Sequence, residues 1–386
     1  MRGFARDEMK PVTLHPRRLE PFDKPLLTDL LNAASSMGLR ALSLAEAHGG
    51  AGADSHTACL VIEELAQGDP DIAVVMAHTA VLARLLFGEV LSNEQRQRYL
   101  PTFTADVAYH LAYPGRNPDA GRAAAYHSAS GTPAPQATAV KNSAGAWVVN
   151  GEFAAVANAA VAHLFAVNAS SASGDITLPV SRGTAGLTVR EASRTRGGAT
   201  LRWGHGAAGT VVLKDCIVPD SDVLLSDVGT RYTQRVSPLL AAANIDIGQA
   251  AFEAAIDYTR LRRQGGKKTI EHQAIGTFLA DMAIKLEAAR NMAWKAAWVV
   301  DHPAAVADRS VSGLPLHHMA RAYTSELMVD VTERAAECFG AMGVMRDMPL
   351  QKYVDDALMF KHGEVGAGAA RLLVAEAVAG FQRAHS

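Results

Sequence analysis

Three cysteines, Cys59, Cys216 and Cys338, are by type the side chains best suited to thiol, redox or soft-metal chemistry, and their spacing argues against all of it. They lie far apart and form no Cys-x-x-Cys pair. They read as reduced core or turn residues of a cytoplasmic protein. No metal site is expected. The ionisable groups are evenly mixed: 37 Lys plus Arg against 39 Asp plus Glu gives 37 − 39 = −2. No run of one sign exceeds a few residues, so the charge pattern favours neither nucleic acid nor an anionic membrane surface.

A chain of 386 residues, 49% of them apolar, suits two or three domains sharing a core. The first ten residues carry charges and no apolar segment of the kind that opens a secretory leader. The stretch Phe153 to Ala169 is apolar but interrupted by Asn158, His163 and Asn168, which makes it strand-like and too polar to span a membrane. Residues 1–104 have helical periodicity, with Leu26, Leu27, Leu30 and Leu31 on one face and Leu82, Leu85 and Leu86 on another. The glycine break Gly49-Gly50-Ala51-Gly52 separates two of these helices. Residues 105–228 change texture to short β-branched runs punctuated by Gly, Pro, Asn and Ser, as a strand-and-turn domain requires.

Helical periodicity returns after Pro238, and residues 229–386 form the third region. Phe278, Met282, Leu286 and Ala289 trace one stripe, and Met319, Tyr323, Leu327 and Val331 a second. Breaks at Gly265-Gly266, at Asp301-His302-Pro303 and between Gly340 and Pro349 divide this region into roughly four helices. The expected fold class is therefore α+β: an N-terminal helical domain, a middle β-domain and a C-terminal four-helix bundle.

Seven motifs in order give this architecture a family likeness. Ala47-His48-Gly49-Gly50-Ala51-Gly52-Ala53-Asp54 precedes Glu63-Glu64-Leu65-Ala66, and Glu94 to Pro101 ends in Tyr99-Leu100-Pro101. The sheet region ends with Val211 to Pro219. Tyr258 to Gly266, Glu271-His272-Gln273-Ala274-Ile275, Phe339-Gly340-Ala341-Met342-Gly343 and Asp356-Ala357 follow. Together they resemble the acyl-CoA dehydrogenase family of flavoproteins.

The resemblance implies FAD as cofactor, an acyl-CoA thioester as substrate, and removal of a proton from the carbon next to the thioester while hydride leaves the neighbouring carbon for the flavin. The base must be a carboxylate in a water-poor site. One branch of the family places it after the Asp356-Ala357 motif, which here gives Glu364. The other places it near Pro238, which cannot serve. The family's bundle also contacts a neighbouring subunit's flavin through an Arg and a Gln, matched by Arg262 and Gln273, with Gly340 and Gly343 in the adjoining turn. An arginine suits a diphosphate through its fixed fork of donors.

The positions that resemblance assigns to the subunit's own flavin ring depart from the family. Ala112 stands in place of a hydroxyl residue, Ala154 in place of a stacking tryptophan and Val156 in place of a hydroxyl near the reactive nitrogen. Leu239 replaces an arginine, and Glu337, in place of a glutamine, would repel a diphosphate. The asymmetry suggests a subunit of a mixed oligomer whose related partner holds the complete flavin pocket. The alternatives are a homotetrameric FAD enzyme using Glu364 as base, and a flavin-free homologue that binds acyl thioesters without redox chemistry. Ala241, Ala242, Ala243 and Asn244 imply a wall of small residues and leave the acyl group open.

Overall fold

A computed structural model describes residues 1–15, 26–115, 136–191, 194–196, 199–201, 204–224, 227–306, 313–345, 347–363 and 367–379. The helices of the first region are α1 (Lys10–Thr13), α2 (Thr28–Ser36), α3 (Ser55–Ala66), α4 (Pro70–Leu85) and α5 (Asn93–Ala105). Local chemistry sets their starts. The Asp54 side chain accepts the Thr57 amide at the head of α3, and Asp69 accepts those of Asp71 and Ile72 at the head of α4, with Pro70 in the first turn. Ser92 and Gln95 form a reciprocal cap on α5.

The middle region contains β1 (His110–Ala112), β2 (Ala137–Lys141), β3 (Trp147–Val156), β4 (Ala162–Ser171), β5 (Gly174–Ser181), β6 (Leu187–Glu191), β7 (Arg194–Arg196), β8 (Ala199–Leu201) and β9 (Gly209–Val218). Seven of these make one mixed sheet in the order β1-β4-β2-β3-β9-β6, with β5 on the other side of β4; β7 and β8 pair separately. Trp147, Val149 and Phe153 of β3 face a core with Phe165, Leu178 and Val211 that is distinct from the helical core.

The last region holds α6 (Val228–Leu261), α7 (Gln273–Asp301), α8 (Leu316–Phe339), α9 (Leu350–His362) and α10 (Ala367–Ala379), and a small hairpin of β10 (Arg263–Gln264) and β11 (Lys267–Lys268) joins α6 to α7. The order helix, sheet, helix is the α+β arrangement expected, with α10 packed on α8 as a fifth helix. Asp227 caps α6 through the Thr230 amide, so the helix starts ten residues before Pro238 and runs through it. At Gly248 a Cβ would lie 2.5 Å from the Met328 sulfur, so Met328 of α8 packs closely over α6 and a side chain at 248 would displace it.

That close approach also shifts the α8 stripe. Ala320, Thr324, Met328, Val331 and Ala335 are buried, whereas Tyr323 is exposed and Met319 and Leu327 are half-buried, because small side chains take the contact and large ones its rim. On α7 the expected line holds at Met282, Leu286 and Ala289. The segments Pro70–Val90 and Val228–Leu261 are long and apolar enough to cross a membrane, yet 83% and 72% of their most apolar windows are buried within the fold. They serve as core helices.

Candidate active site

The three regions meet around α4. Asn158, in a turn after β3 with φ of 62° and fully buried, donates its amide to the carbonyls of Val75 (3.0 Å) and Leu111 (3.3 Å) and to the Thr79 hydroxyl (3.1 Å). Thr79 bonds His110 Nδ1 at 3.0 Å. Burial pushes the His110 pKa down to about 3, so the ring is neutral. This web ties the sheet to the first helices.

Beside it lie Tyr113, just after β1, and Tyr232 on α6, with ring centres 5.4 Å apart. Tyr232 Oη and His78 Nδ1 on α4 are 2.5 Å apart. Burial pushes the Tyr113 phenol well above its usual range and keeps it protonated. One polar group from each region thus reaches the junction, and two of them, His78 and Tyr232, were invisible to sequence reasoning. A lone histidine or tyrosine inside an apolar helix has no spacing signal.

Around this junction the positions matched to the flavin ring present methyl groups. Ala112 is fully buried in β1, opposite Phe165 of β4. Ala154 is exposed, and Val156 is 7% exposed beyond an irregularity in the β3–β9 ladder, where Ala155 adopts a φ of 53°. None of the three side chains can donate a hydrogen bond. The loop continues through Pro114, whose carbonyl accepts the Asn168 amide at 2.8 Å, and its residues 116–119 lie outside the described residues. Leu239 is buried within the helical core, as are Ala241, Ala242 and Ala243; Asn244 donates to the Thr324 carbonyl on α8. The small wall therefore serves helix packing.

The opposite end of the bundle is a different surface. Arg262 is the exposed, extended residue that ends α6, and Gln273 is the exposed first residue of α7. The intervening hairpin is pinned by Thr269, whose amide donates to the Arg262 carbonyl and whose hydroxyl donates to the Thr259 carbonyl. Neither the Arg262 guanidinium nor the Gln273 amide has a bonded partner among the described residues, and Arg260, Arg263, Lys267 and Lys268 are exposed nearby. A stack of Tyr258 on Phe339, 4.1 Å between ring centres, brings the end of α8 to the same place.

Gly340 terminates α8 at φ 58° and ψ −136°, a conformation reserved for glycine, and a Cβ at Gly343 would lie 2.4 Å from the Ala336 carbonyl oxygen. The structure thus gathers Arg262, Gln273, Gly340 and Gly343 at one end of the bundle. Glu337 is there too, but it pairs with Arg334 at 2.7 Å, which itself lies over the Phe278 ring. Arg334 thus partners the carboxylate that the resemblance sets beside a diphosphate.

Glu364 lies outside the described residues, between the end of α9 and the start of α10. What precedes it is firmly held. Lys352 and Asp356 of α9 form a buried ion pair, Asp71 bonds His205 Nδ1 at 3.0 Å and the Gly206 amide at 3.0 Å, and His205 Nε2 reaches the Asp356 carbonyl at 2.9 Å. Burial and then Asp71 raise the pKa of nearby Asp69 to about 6, with Lys352 opposing. Burial opposes protonation of His205, yet Asp71 outweighs it and raises the pKa.

Comparison with known proteins assigns the class. Residues 1–106 match the N-terminal domain, and residues 234–383 the C-terminal domain, of acyl-CoA dehydrogenases. A probable acyl-CoA dehydrogenase of Mycobacterium tuberculosis, FadE25, is 29% identical over 346 residues, covering 85% of this chain and 82% of that protein. The human mitochondrial short-chain specific acyl-CoA dehydrogenase is 27% identical over 389 residues, covering 97% and 87%. The solved structure of butyryl-CoA dehydrogenase from Megasphaera elsdenii superposes with a TM-score of 0.79 at 23% identity, over 98% of this chain and 95% of that one. The chain belongs to the acyl-CoA dehydrogenase family.

Proposed function

We propose that the chain serves FAD-dependent α,β-dehydrogenation of an acyl-CoA thioester as a subunit of a mixed oligomer, in which a related partner chain holds the flavin ring. The observation that carries this reading is the asymmetry between the two sets of flavin positions. Arg262, at the end of α6, and Gln273, at the start of α7, stand exposed and without a bonded partner among the described residues, beside further cations and a helix N-terminus that favours an anionic diphosphate. Ala112, Ala154 and Val156 offer a ring no side-chain donor. The residues present therefore fit the diphosphate end of FAD and fit its ring poorly.

FAD, when bound, supplies the hydride acceptor. This chain's Arg262 would hold the diphosphate bidentately and Gln273 would bond it beside the helix N-terminus. In a homotetramer that holds the ring itself, Glu364, the base assigned by family likeness, would take the proton from the carbon next to the thioester carbonyl. Exposed Leu261, Val344 and Met345 surround the cationic end with apolar surface, which supports burial against another subunit. Light scattering on the purified protein should show an oligomer rather than a 40.8 kDa species.

A homotetramer using Glu364 is the second reading, and the buried web that fixes α9 just before Glu364 favours it. Absorption in the flavin bands decides between them. Chain purified alone should be colourless and should become yellow with a related co-expressed subunit; chain that is yellow alone would overturn the mixed-oligomer reading in favour of the second.

A further inference from the structure

Between the N-terminal turns, α3, α6 and α7 lies a cleft of about 920 Å³, lined by none of the positions matched to the flavin. Its polar groups pair almost completely. Glu64 pairs with Arg2; Glu63 and Glu287 share Arg290, and Glu63 also accepts from Trp294 Nε1 at 3.2 Å. Glu253 accepts from Gln67 and Gln249 and lies 3.9 Å from Lys10, while Arg6 turns to Asp7. Every base lining the cleft is thus matched to an acid.

Asp246 is the exception. It lies mid-way along α6, is 5% exposed, lines the cleft, and its Oδ2 has no hydrogen-bond partner among the described residues. A lone buried carboxylate oxygen is costly and calls for a donor. Burial first, and then Glu63, Glu64 and Glu253, raise its pKa well above the usual carboxylate range, with Arg290 opposing. The glutamates' share of that shift is repulsion, which a cation brought to the carboxylate would relieve.

The dimensions and walls narrow the donor. The space far exceeds the roughly 30 Å³ of one water molecule and falls in the range of small-ligand pockets. Leu60, Phe252, Leu286 and Trp294 give it apolar and aromatic sides. Among the described residues no three acidic, histidine or cysteine side chains are arranged to hold a metal ion. We propose that this cleft binds a small organic cation, an alkylammonium whose N–H groups bond the Asp246 carboxylate while its carbon chain lies against Leu60, Phe252 and Trp294. An ammonium supplies several donors and one positive charge, and an aromatic wall favours the adjacent carbon and charge.

Calorimetric titration of the full chain at about pH 8, where an alkylammonium is protonated, tests this with n-butylammonium, 1,4-diaminobutane, n-butanol and butyrate. The two amines should bind saturably and the neutral and anionic probes should not. Asp246→Asn keeps the shape and should weaken the amines by about ten- to a hundredfold without lowering the melting temperature. Ala283→Leu, which narrows the cleft and leaves Asp246 in place, should weaken them as well and serves if the first variant does not fold. No saturable amine binding, equal binding of n-butanol, or unchanged affinity in both variants would overturn the proposal.

Discussion

The bundle end and the sheet face are matched to two ends of one cofactor, and they keep their functional positions at different cost. Arg262 and Gln273 stand in water on either side of a hairpin, without a bonded partner among the described residues, where a guanidinium or amide carries no desolvation penalty and stays available to a neighbour. Ala112 is sealed inside β1 against Phe165, so the position has been absorbed into the sheet core. Polar contacts on an exposed turn can persist without upkeep by the fold. Contacts built into a core are replaced by whatever packs, and restoring them means repacking.

The largest effect should come from the base that the homotetramer reading assigns to Glu364. In a flavin-loaded homotetramer, Glu364→Gln removes the base and keeps the shape, so the rate at which added acyl-CoA bleaches the flavin should fall by about 10²–10⁴ while CoA-ester binding persists. Unchanged bleaching would place the base in another side chain. Next in size is Arg262→Ala, which leaves a diphosphate one charge-assisted fork short; flavin retained by the purified complex should drop by about ten- to a hundredfold. Equal flavin content would make Arg262 an ordinary surface residue and remove the contrast between the two regions.

Restoration of the sheet face sharpens the contrast. Ala154→Trp with Val156→Thr adds an aromatic face at an exposed position and a hydroxyl at an isosteric one, and should raise flavin retention of the chain alone by about tenfold or more. Adding Ala112→Thr forces two atoms into a sealed site and should cost about 1–3 kcal/mol of stability. A triple variant that melts at the same temperature as the double would show that β1 retains room for the hydroxyl.

Much of this architecture can be read from the chain because local chemistry and periodicity agree with it. Asp54, Asp69 and Ser92 announce their helices, and the Met282, Leu286, Ala289 line is buried as its spacing implies. The α8 stripe misleads because large apolar residues draw the eye, whereas close helix contact is made by Ala320 and Thr324. Glu337 needs Arg334 three residues earlier to be understood, a pairing that helical spacing does reveal. His78 and Tyr232 are 154 residues apart, and Asp246 sits alone in an apolar helix. Their roles arise only when the regions dock, so no local pattern records them.

The smallest effect expected concerns the web that docks α9. Asp71 favours the protonated form of His205, and its carboxylate also takes the Gly206 amide, with the Asp356 carbonyl on the other ring nitrogen and the Phe360 ring 4.6 Å away. Its pKa is raised above the usual histidine value, so its contribution to stability is complete below about pH 6.5 and is lost as pH rises through the folded value. Asp69, raised to about 6, favours its neutral form in the folded protein and acts in the same direction at lower pH; Lys352 remains charged throughout. Melting temperature should therefore fall by a few degrees between about pH 6.5 and pH 8.5. In His205→Asn that slope should flatten, the imidazole having been removed, although the variant melts lower at acid pH for want of its bond to Asp71. Parallel pH profiles for the two proteins would mean that Asp71 does not hold a proton on His205, and that the apolar contacts of Leu350, Tyr353, Ala357 and Phe360 dock α9.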